Sequence, residues 1–434
     1  MKENEVVIFW FRRDLRLSDN RGLNRALSSG FKVLPVFIFD SVILERLEKD
    51  DARITFICEA LETINGKLKS SGSSLLAFHG PPERFFSELP PQFSIKAVYA
   101  NLDYERYAVE RDRKVGNILK SKGIPFHLFS DQLIMEPGTV LKQDGEPYTV
   151  FTPFSKRWLS LFKIDLTEEE PSEELPGNFV QHYGQIAEIS QESAGFKRSE
   201  TVVKPANLSH DTVRSYKSTR DYPALDGTTH LGPHLRFGTI SIREVMRNTS
   251  GISQVFTSEL IWREFFMHIL HFFPHVEERS FRKKYDNIEW INSEENFERW
   301  RKGLTGYPIV DAGMRELSAT GYMHNRVRMI TASFLVRHLL CDWRWGEAWF
   351  ASLLLDFELS SNNGNWQWAA GTGCDAAPWF RIFSPDAQQK KFDPDKQYIR
   401  KWVPEYDTPG YSPPIVNHSE ARERALMVYR SVAG

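Results

Sequence analysis

Apolar and polar positions are patterned in two different ways along this chain, and the change between them divides it. Over the first 130 residues short apolar runs are separated by amphipathic stretches: VVIFWF at 6–11, VLPVFIF at 33–39, SLLAFHG at 74–80, AVYAN at 97–101 and PFHLFS at 125–130. Continuous runs of that length suit strands buried on both faces. Stretches between them, such as ARITFICEALETINGKLKSSG, carry helical spacing. Strand–helix alternation of this kind predicts an open parallel sheet with crossover helices over 1–130. From 131 to 200 the periodicity dissolves into prolines, the acidic TEEEPSEELPG at 167–177 and a polar run. That segment is expected to be an interdomain connector with one short helix at FSKRWLSLF. From 201 to 434 helical spacing dominates, as in SELIWREFFMHILHF and MITASFLVRHLL, and predicts a larger all-α domain.

Composition narrows the picture little. At 434 residues, 41% hydrophobic and 26% charged, the chain is globular and long enough for two or three domains. A net charge of −2 gives no global electrostatic case for nucleic acid, so any such site is expected as a local basic patch. Cys58, Cys341 and Cys374 are odd in number and widely spaced, which fits neither a disulfide framework nor a zinc site. The apolar run before the first arginines is too short for a signal peptide, and no stretch has the length of a membrane span. A reducing, cytoplasmic location is the expectation.

Candidate chemistry concentrates in the second half. DFELSSNNGNWQWAAGTG at 356–373 sets Asp356, Glu358, Asn362, Asn363, Trp366 and Trp368 close together. The Asn-Asn-Gly-Asn run is expected to break regular structure and carry Asn362 on a loop. If the tryptophans open a helix, positions two apart point about 200° apart, so one faces the protein and the other a cleft. DGTTHLGPHL at 226–235 offers small residues ahead of a helix, which suit either a phosphate or a plain turn. In SELIWREFF, Glu259 and Trp262 share a helix face, with Arg263 one step round. They could hold a planar substrate, or be an ion pair beside a core indole. MHNRVRM places Asn325 and Met329 on one face and Arg326 and Arg328 on others. With Arg282, Lys283 and Lys284 these form either a phosphate-binding rim or a solvated face. Arg12, Arg13 and Arg16 follow the first strand, where a G-x-G-x-x-G fingerprint is missing; ion pairing with nearby carboxylates is the expectation there.

Taken together, VVIFWFRRDLRLSDN near the N-terminus, TGYPIVDAGMREL at 305–317, GYMHNRVRMITASFLV at 321–336 and NNGNWQWAAGTGCDAAPWFRIFSP at 362–385 closely resemble the photolyase/cryptochrome family. The likeness runs nearly the whole chain and is greatest to bacterial class I cyclobutane pyrimidine dimer photolyases. It implies a Rossmann-like α/β domain followed by a helical domain that holds FAD. It also implies light-driven electron transfer from reduced FAD to a dimer flipped out of DNA. By the same resemblance Tyr216, Thr228, Thr229, His230, Leu231 and Gly232 hold the FAD phosphates. Arg263, Arg328, Asp356, Phe357 and Glu358 line flavin and adenosine, and Asn362 sits at a flavin nitrogen. Trp366, Trp343 and Trp290 form a chain of electron donors. Glu259, Trp262, Trp368, Asn325, Arg326 and Met329 shape the lesion pocket, and Arg220, Arg282, Lys283, Lys284, Arg326 and Lys391 meet DNA phosphates.

His230 stands where the family usually has arginine, Gly232 where it has serine, and Glu358 where it has aspartate; the phosphate grip changes, and FAD is still expected to bind. A second antenna chromophore, whether deazaflavin, folate or FMN, stays unresolved, with Asp103 and Arg53 fitting the deazaflavin type better. The expected function is repair of cyclobutane pyrimidine dimers in UV-damaged DNA by a monomer. The alternative is a cryptochrome, a blue-light receptor without repair. Repair of the 6-4 photoproduct is disfavoured, because it calls for a histidine where this chain has Met329.

Overall fold

The computed structural model describes residues 5–174, 176–181, 189–378 and 380–433; Trp379 and part of the polar run before residue 200 lie outside it. The five apolar runs form five parallel strands: β1 (Glu5–Phe11), β2 (Lys32–Phe39), β3 (Leu76–His79), β4 (Ser94–Asn101) and β5 (Phe126–Phe129). Their order is β3-β2-β1-β4-β5, with β1 central. Period-two alternation sorts each strand between two layers. Val7, Phe9 and Phe11 pack on one face, against helices Arg21–Leu27 and Ala52–Ser70. Val6, Ile8 and Trp10 pack on the other, with Pro82–Glu88 and Arg106–Ser121. Both faces are covered, which is why the strand sequences read as unbroken apolar runs.

The arginines after β1 are tied to carboxylates. Arg12 meets Asp112 at 2.6 Å, Arg13 meets Asp103 at 3.3 Å and Glu105 at 3.2 Å, and Arg16 meets Asp131 at 2.5 Å. Asp103 is therefore already paired, and Arg53 is paired with Asp51 at 2.5 Å.

The chain divides by its internal contacts into two compact units that cut it differently from the expected 1–130, 131–200 and 201–434. One comprises Met1–Glu136, Leu161–Ala206 and His230–Ser250; the other comprises Pro137–Ser160, Asn207–Thr229 and Gly251–Gly434. Segment 230–250 joins the sheet unit although its pattern is helical. Leu15 N–H donates to the Phe237 carbonyl at 3.0 Å, and Arg243 is buried against Asp19 and Asp131, each at 2.8 Å. Periodicity marks a helix, but only side-chain partners decide which core it joins.

The second unit is helical. Its core runs through Pro308–Thr320, Asn325–Ser333, Trp343–Leu353 and Leu359–Ala370, with helix Gln254–Phe272 packed on the last of these. Helix Leu359–Ala370 lies at its centre, packed against three of the others.

Candidate cofactor and nucleic-acid site

The run Asn-Asn-Gly-Asn does not break the chain, contrary to the expectation of a loop. Helix Leu359–Ala370 passes straight through it, with Asn362 inside. Asn362 and Asn363 each have a tertiary partner, while exposed Asn365 donates one turn back to the Ser361 carbonyl at 2.8 Å. Asn363 donates its side-chain N–H to the Val276 carbonyl at 2.9 Å, and Gln367 joins the same cluster. Those bonds remove the competition between asparagine side chains and the helical backbone. Gly364 is there for a close approach: a Cβ would lie 2.1 Å from the Phe266 ring. Gly364→Ala is therefore expected to destabilise the unit by ~1–3 kcal/mol through overpacking, read as a lower urea midpoint, instead of gaining helix propensity. Trp366 is buried in the core and Trp368 is half-buried, so the two indoles part as the helical period requires.

Asn362 has a partner that the sequence did not disclose. Its amide nitrogen donates to the carboxylate of Glu347 at 2.9 Å and to the Glu347 carbonyl at 3.1 Å. Both amide hydrogens are thereby engaged, and the Asn362 oxygen is left to face elsewhere. Burial raises the Glu347 carboxyl above its ordinary value, an effect the Asn362 bond partly offsets. Glu347 lies one turn beyond Trp343 on helix Trp343–Leu353, where its context resembles any amphipathic helix, so no local signal marked it.

At the entry to helix Leu359–Ala370 two opposed charge pairs converge. Arg328 donates to one oxygen of Asp356 at 2.9 Å, and Arg263 lies 3.6 Å from Glu358. The other Asp356 oxygen and the Ser360 hydroxyl are buried without a partner among the described residues. Buried polar atoms in folded proteins nearly always have one, so these two mark a place for a polar ligand. Phe357 is half-buried beside them.

A second group sits on helices Gln254–Phe272 and Asn325–Ser333. Glu259 is paired with Arg220, whose guanidinium lies 5.3 Å from the Tyr216 ring centre. Burial, then Glu259, push the Tyr216 phenol up to about 12, so it stays a hydrogen-bond donor. Trp262 stacks on Phe151 at 3.6 Å and also meets the Phe265 and Phe266 rings at 5.6 and 5.4 Å, with its indole half-buried. Arg326 pairs with Asp221 at 2.7 Å and reaches the Met329 sulfur at 3.5 Å. Asn325 is exposed. His324 caps this helix, its Nδ1 accepting from the Arg326 N–H at 3.2 Å. Burial, and then Arg328, push His324 down to about 4, so it is neutral at physiological pH.

Thr228 meets the Tyr322 hydroxyl at 3.2 Å, and Thr229 is buried. His230 takes a left-handed backbone, φ 52°, and opens the short helix Leu231–Phe237, which includes Gly232, in the sheet unit. Among the basic residues, Arg282 reaches the Cys374 carbonyl at 3.2 Å. Lys391 is exposed at the end of helix Pro385–Phe392. Lys283 and Lys284 stand apart, on the 3-10 turn Lys283–Asn287, which packs against the C-terminal helix His418–Ala433.

Trp366, Trp343 and Trp290 belong to one core cluster. The first two are buried and Trp290 is half-buried. The rings nearest Trp366 include two that sequence reasoning passed over, Phe350 at 4.9 Å and Trp300 at 6.2 Å.

Residues 7–176 match the family described as DNA photolyase, and residues 256–409 match the FAD binding domain of DNA photolyase. Among relatives, a deoxyribodipyrimidine photo-lyase from Synechococcus is 35% identical over 98% of this chain and 96% of its own. One from Escherichia coli is 34% identical over 98% of each. An archaeal photolyase from Sulfolobus tokodaii, described with two FAD molecules, superposes with a TM-score of 0.86 at 36% identity, covering 98% of this chain and all of that one. A cryptochrome from Synechocystis superposes with a TM-score of 0.85 at 26% identity, covering 98% and 99%.

Proposed function

This chain belongs to the photolyase/cryptochrome family, and from that premise we propose that it is a light-dependent DNA-repair enzyme that splits cyclobutane pyrimidine dimers with bound FAD. What carries the proposal is the pair of adjacent residues Arg220 and Asp221, which hold Glu259 on helix Gln254–Phe272, one turn from Trp262, and Arg326 on helix Asn325–Ser333, beside Met329. A signalling receptor has no use for such a pocket. The relatives named deoxyribodipyrimidine photo-lyase, near 35% identity, support it further.

The residues present fit FAD. The unpartnered Asp356 oxygen and Ser360 hydroxyl are buried acceptors and donors of the kind that a ribose or an isoalloxazine edge satisfies. Arg328 and Arg263, each held by a carboxylate, supply positive charge near a reduced flavin. Tyr216, Thr228 and Thr229 hold phosphate oxygens. Bound FAD, reduced and excited by light, supplies the electron that opens the dimer and recovers it. Asn362 keeps its amide nitrogen on Glu347, so the group it offers the flavin is an oxygen with no proton to give. Trp366, Trp343 and Trp290 return electrons to the cofactor from the surface.

On the substrate side, Glu259 accepts hydrogen bonds from the dimer once Arg220 turns to a phosphate. Trp262, Trp368 and Met329 provide apolar contact, and Asn325, Arg326, Arg282 and Lys391 meet the backbone. A damaged pair is poorly stacked, so turning it out costs less than turning out an intact one. The 6-4 reaction has no counterpart here, since Met329 cannot transfer a proton and His324 is held neutral. A second, light-harvesting chromophore is part of the proposal, of the deazaflavin, folate or flavin class. So is a cytoplasmic monomer.

The test uses photoreduced protein and an oligothymidine carrying cyclobutane dimers, with and without blue light. Thymine absorbance returns only in light. Glu259→Gln removes a charged acceptor worth ~1.5–3 kcal/mol, so repair per bound flavin falls about 10- to 100-fold. Recovery of thymine in neither condition, with flavin bound and photoreducible, would move the protein to the receptor branch.

A further inference from the structure

We infer that Phe151 and Asp375 are positioning residues for the lesion, which together hold the plane of Trp262 against the turn that follows Trp368. This rests on the reading of both indoles as lesion contacts.

Phe151 opens helix Phe151–Leu161, the short helix expected within the connector. Its buried residues are Phe151, Phe154 and Trp158, at the spacing of one helix face. That stripe lies along helix Gln254–Phe272. Trp158 donates its indole N–H to Glu264 at 2.5 Å, and the Phe154 ring centre lies 5.2 Å from that of Phe265. The Phe151 ring then lies over Trp262, 3.6 Å between centres and 7° between planes. Isolated aromatic pairs prefer an offset or edge-to-face arrangement with centres roughly 4.5–7 Å apart. A nearly coaxial pair is therefore held by its surroundings.

Asp375 supplies the hold from outside the stripe. The Phe151 N–H, at the start of its helix, donates to the Asp375 carboxylate at 2.9 Å. A carboxylate there satisfies an orphan donor and also complements the helix dipole. Asp375 belongs to the turn after helix Leu359–Ala370, and that turn is fastened to Trp368. The Gly371 and Ala377 N–H groups both donate to the Trp368 carbonyl, at 3.1 and 3.3 Å. Arg282 ties the same turn from its backbone to the Thr372 carbonyl and from its side chain to the Cys374 carbonyl, at 3.1 and 3.2 Å. Trp262, Phe151, Asp375 and Trp368 thus form one connected series of contacts between two helices. A dimer that touches both indoles loses affinity when their relation is disturbed, while phosphate contacts are untouched.

The test uses FAD-loaded protein and an oligothymidine with one cyclobutane dimer, beside the same strand undamaged. It reads both dissociation constants and the repair rate at saturating dimer. Phe151→Leu removes the flat ring and is expected to weaken dimer binding about fivefold. Asp375→Ala releases the helix start and weakens it about threefold. Binding of the undamaged strand, flavin content and the saturated repair rate stay native. Asp375→Asn keeps an acceptor oxygen for the Phe151 N–H and binds the dimer as the native protein does. In Phe151→Leu/Asp375→Ala the loss equals that of Phe151→Leu alone, because Asp375 acts through Phe151. Additive losses, an unchanged dimer constant, or equal weakening toward the undamaged strand overturn the inference. So does a lower saturated rate at native affinity. If Phe151→Leu does not fold, the contrast between Asp375→Ala and Asp375→Asn decides alone. A native protein that binds both strands equally removes the lesion role of Trp262 and Trp368 itself, an outcome distinct from the others.

Discussion

Trp366→Phe is expected to abolish light-driven reduction of oxidised flavin while leaving dimer repair intact once the flavin has been reduced chemically. The fold should survive the change. Trp366 is packed edge-on against Phe350 at 4.9 Å and Trp300 at 6.2 Å, and Gly346 leaves room for its ring, where a Cβ would lie 2.2 Å from it. Phenylalanine keeps an aromatic ring in that slot, so the loss stays well below the ~3–5 kcal/mol of truncation to alanine. What disappears is the readily oxidised indole. The measurement pairs flavin absorbance under illumination with thymine recovery after chemical reduction. Photoreduction at the native rate would mean that electrons enter by another indole, and Trp300, the ring 6.2 Å away, would be the residue to replace next.

Arg243→Met is expected to carry the largest stability cost in the sheet unit. Arg243 is fully buried, donates to Asp19 and Asp131 at 2.8 Å each, and also bonds the Asp19 carbonyl at 2.5 Å. Removing one partner of a buried charge cluster leaves uncompensated carboxylates and costs ~3–5 kcal/mol. Arg16 and Arg247 still reach Asp131 and Asp19, which places the expected loss near the lower end of that range. A urea midpoint unchanged in Arg243→Met would show that the cluster contributes nothing net.

The same cluster sets an acid limit. Burial alone would raise the Asp131 carboxyl, but Arg16 and Arg243 outweigh it and hold it down at about 2, below its ordinary 3.8. A depressed carboxylate stabilises the folded state fully above its unfolded value. That contribution, ~2 kcal/mol, is lost as pH falls from about 4 through 2. Native protein should therefore lose stability steeply over that interval, and Arg243→Met less steeply.

The amino-acid sequence by itself determined the sheet. Five apolar runs admit strands and each became one; β1 and β2 are buried on both faces, as period two requires of VVIFWF, whereas the edge strands β3 and β5 are half-buried. It also carried the resemblance to the photolyase/cryptochrome family, through strings such as NNGNWQWAAGTG, which the matched relatives bear out. Tertiary structure decided the rest. The helix through Asn362 and Gly364 was illegible because its stability comes from Val276, Glu347 and Phe266, which are distant in sequence. The allegiance of segment 230–250 was illegible because Arg243 reads as a surface residue until Asp19 and Asp131 surround it. The partners Arg220 for Glu259 and Asp221 for Arg326 were hidden for the same reason. Local pattern reports which face of an element is apolar, whereas the partner of a buried charge or amide is fixed only when distant segments meet.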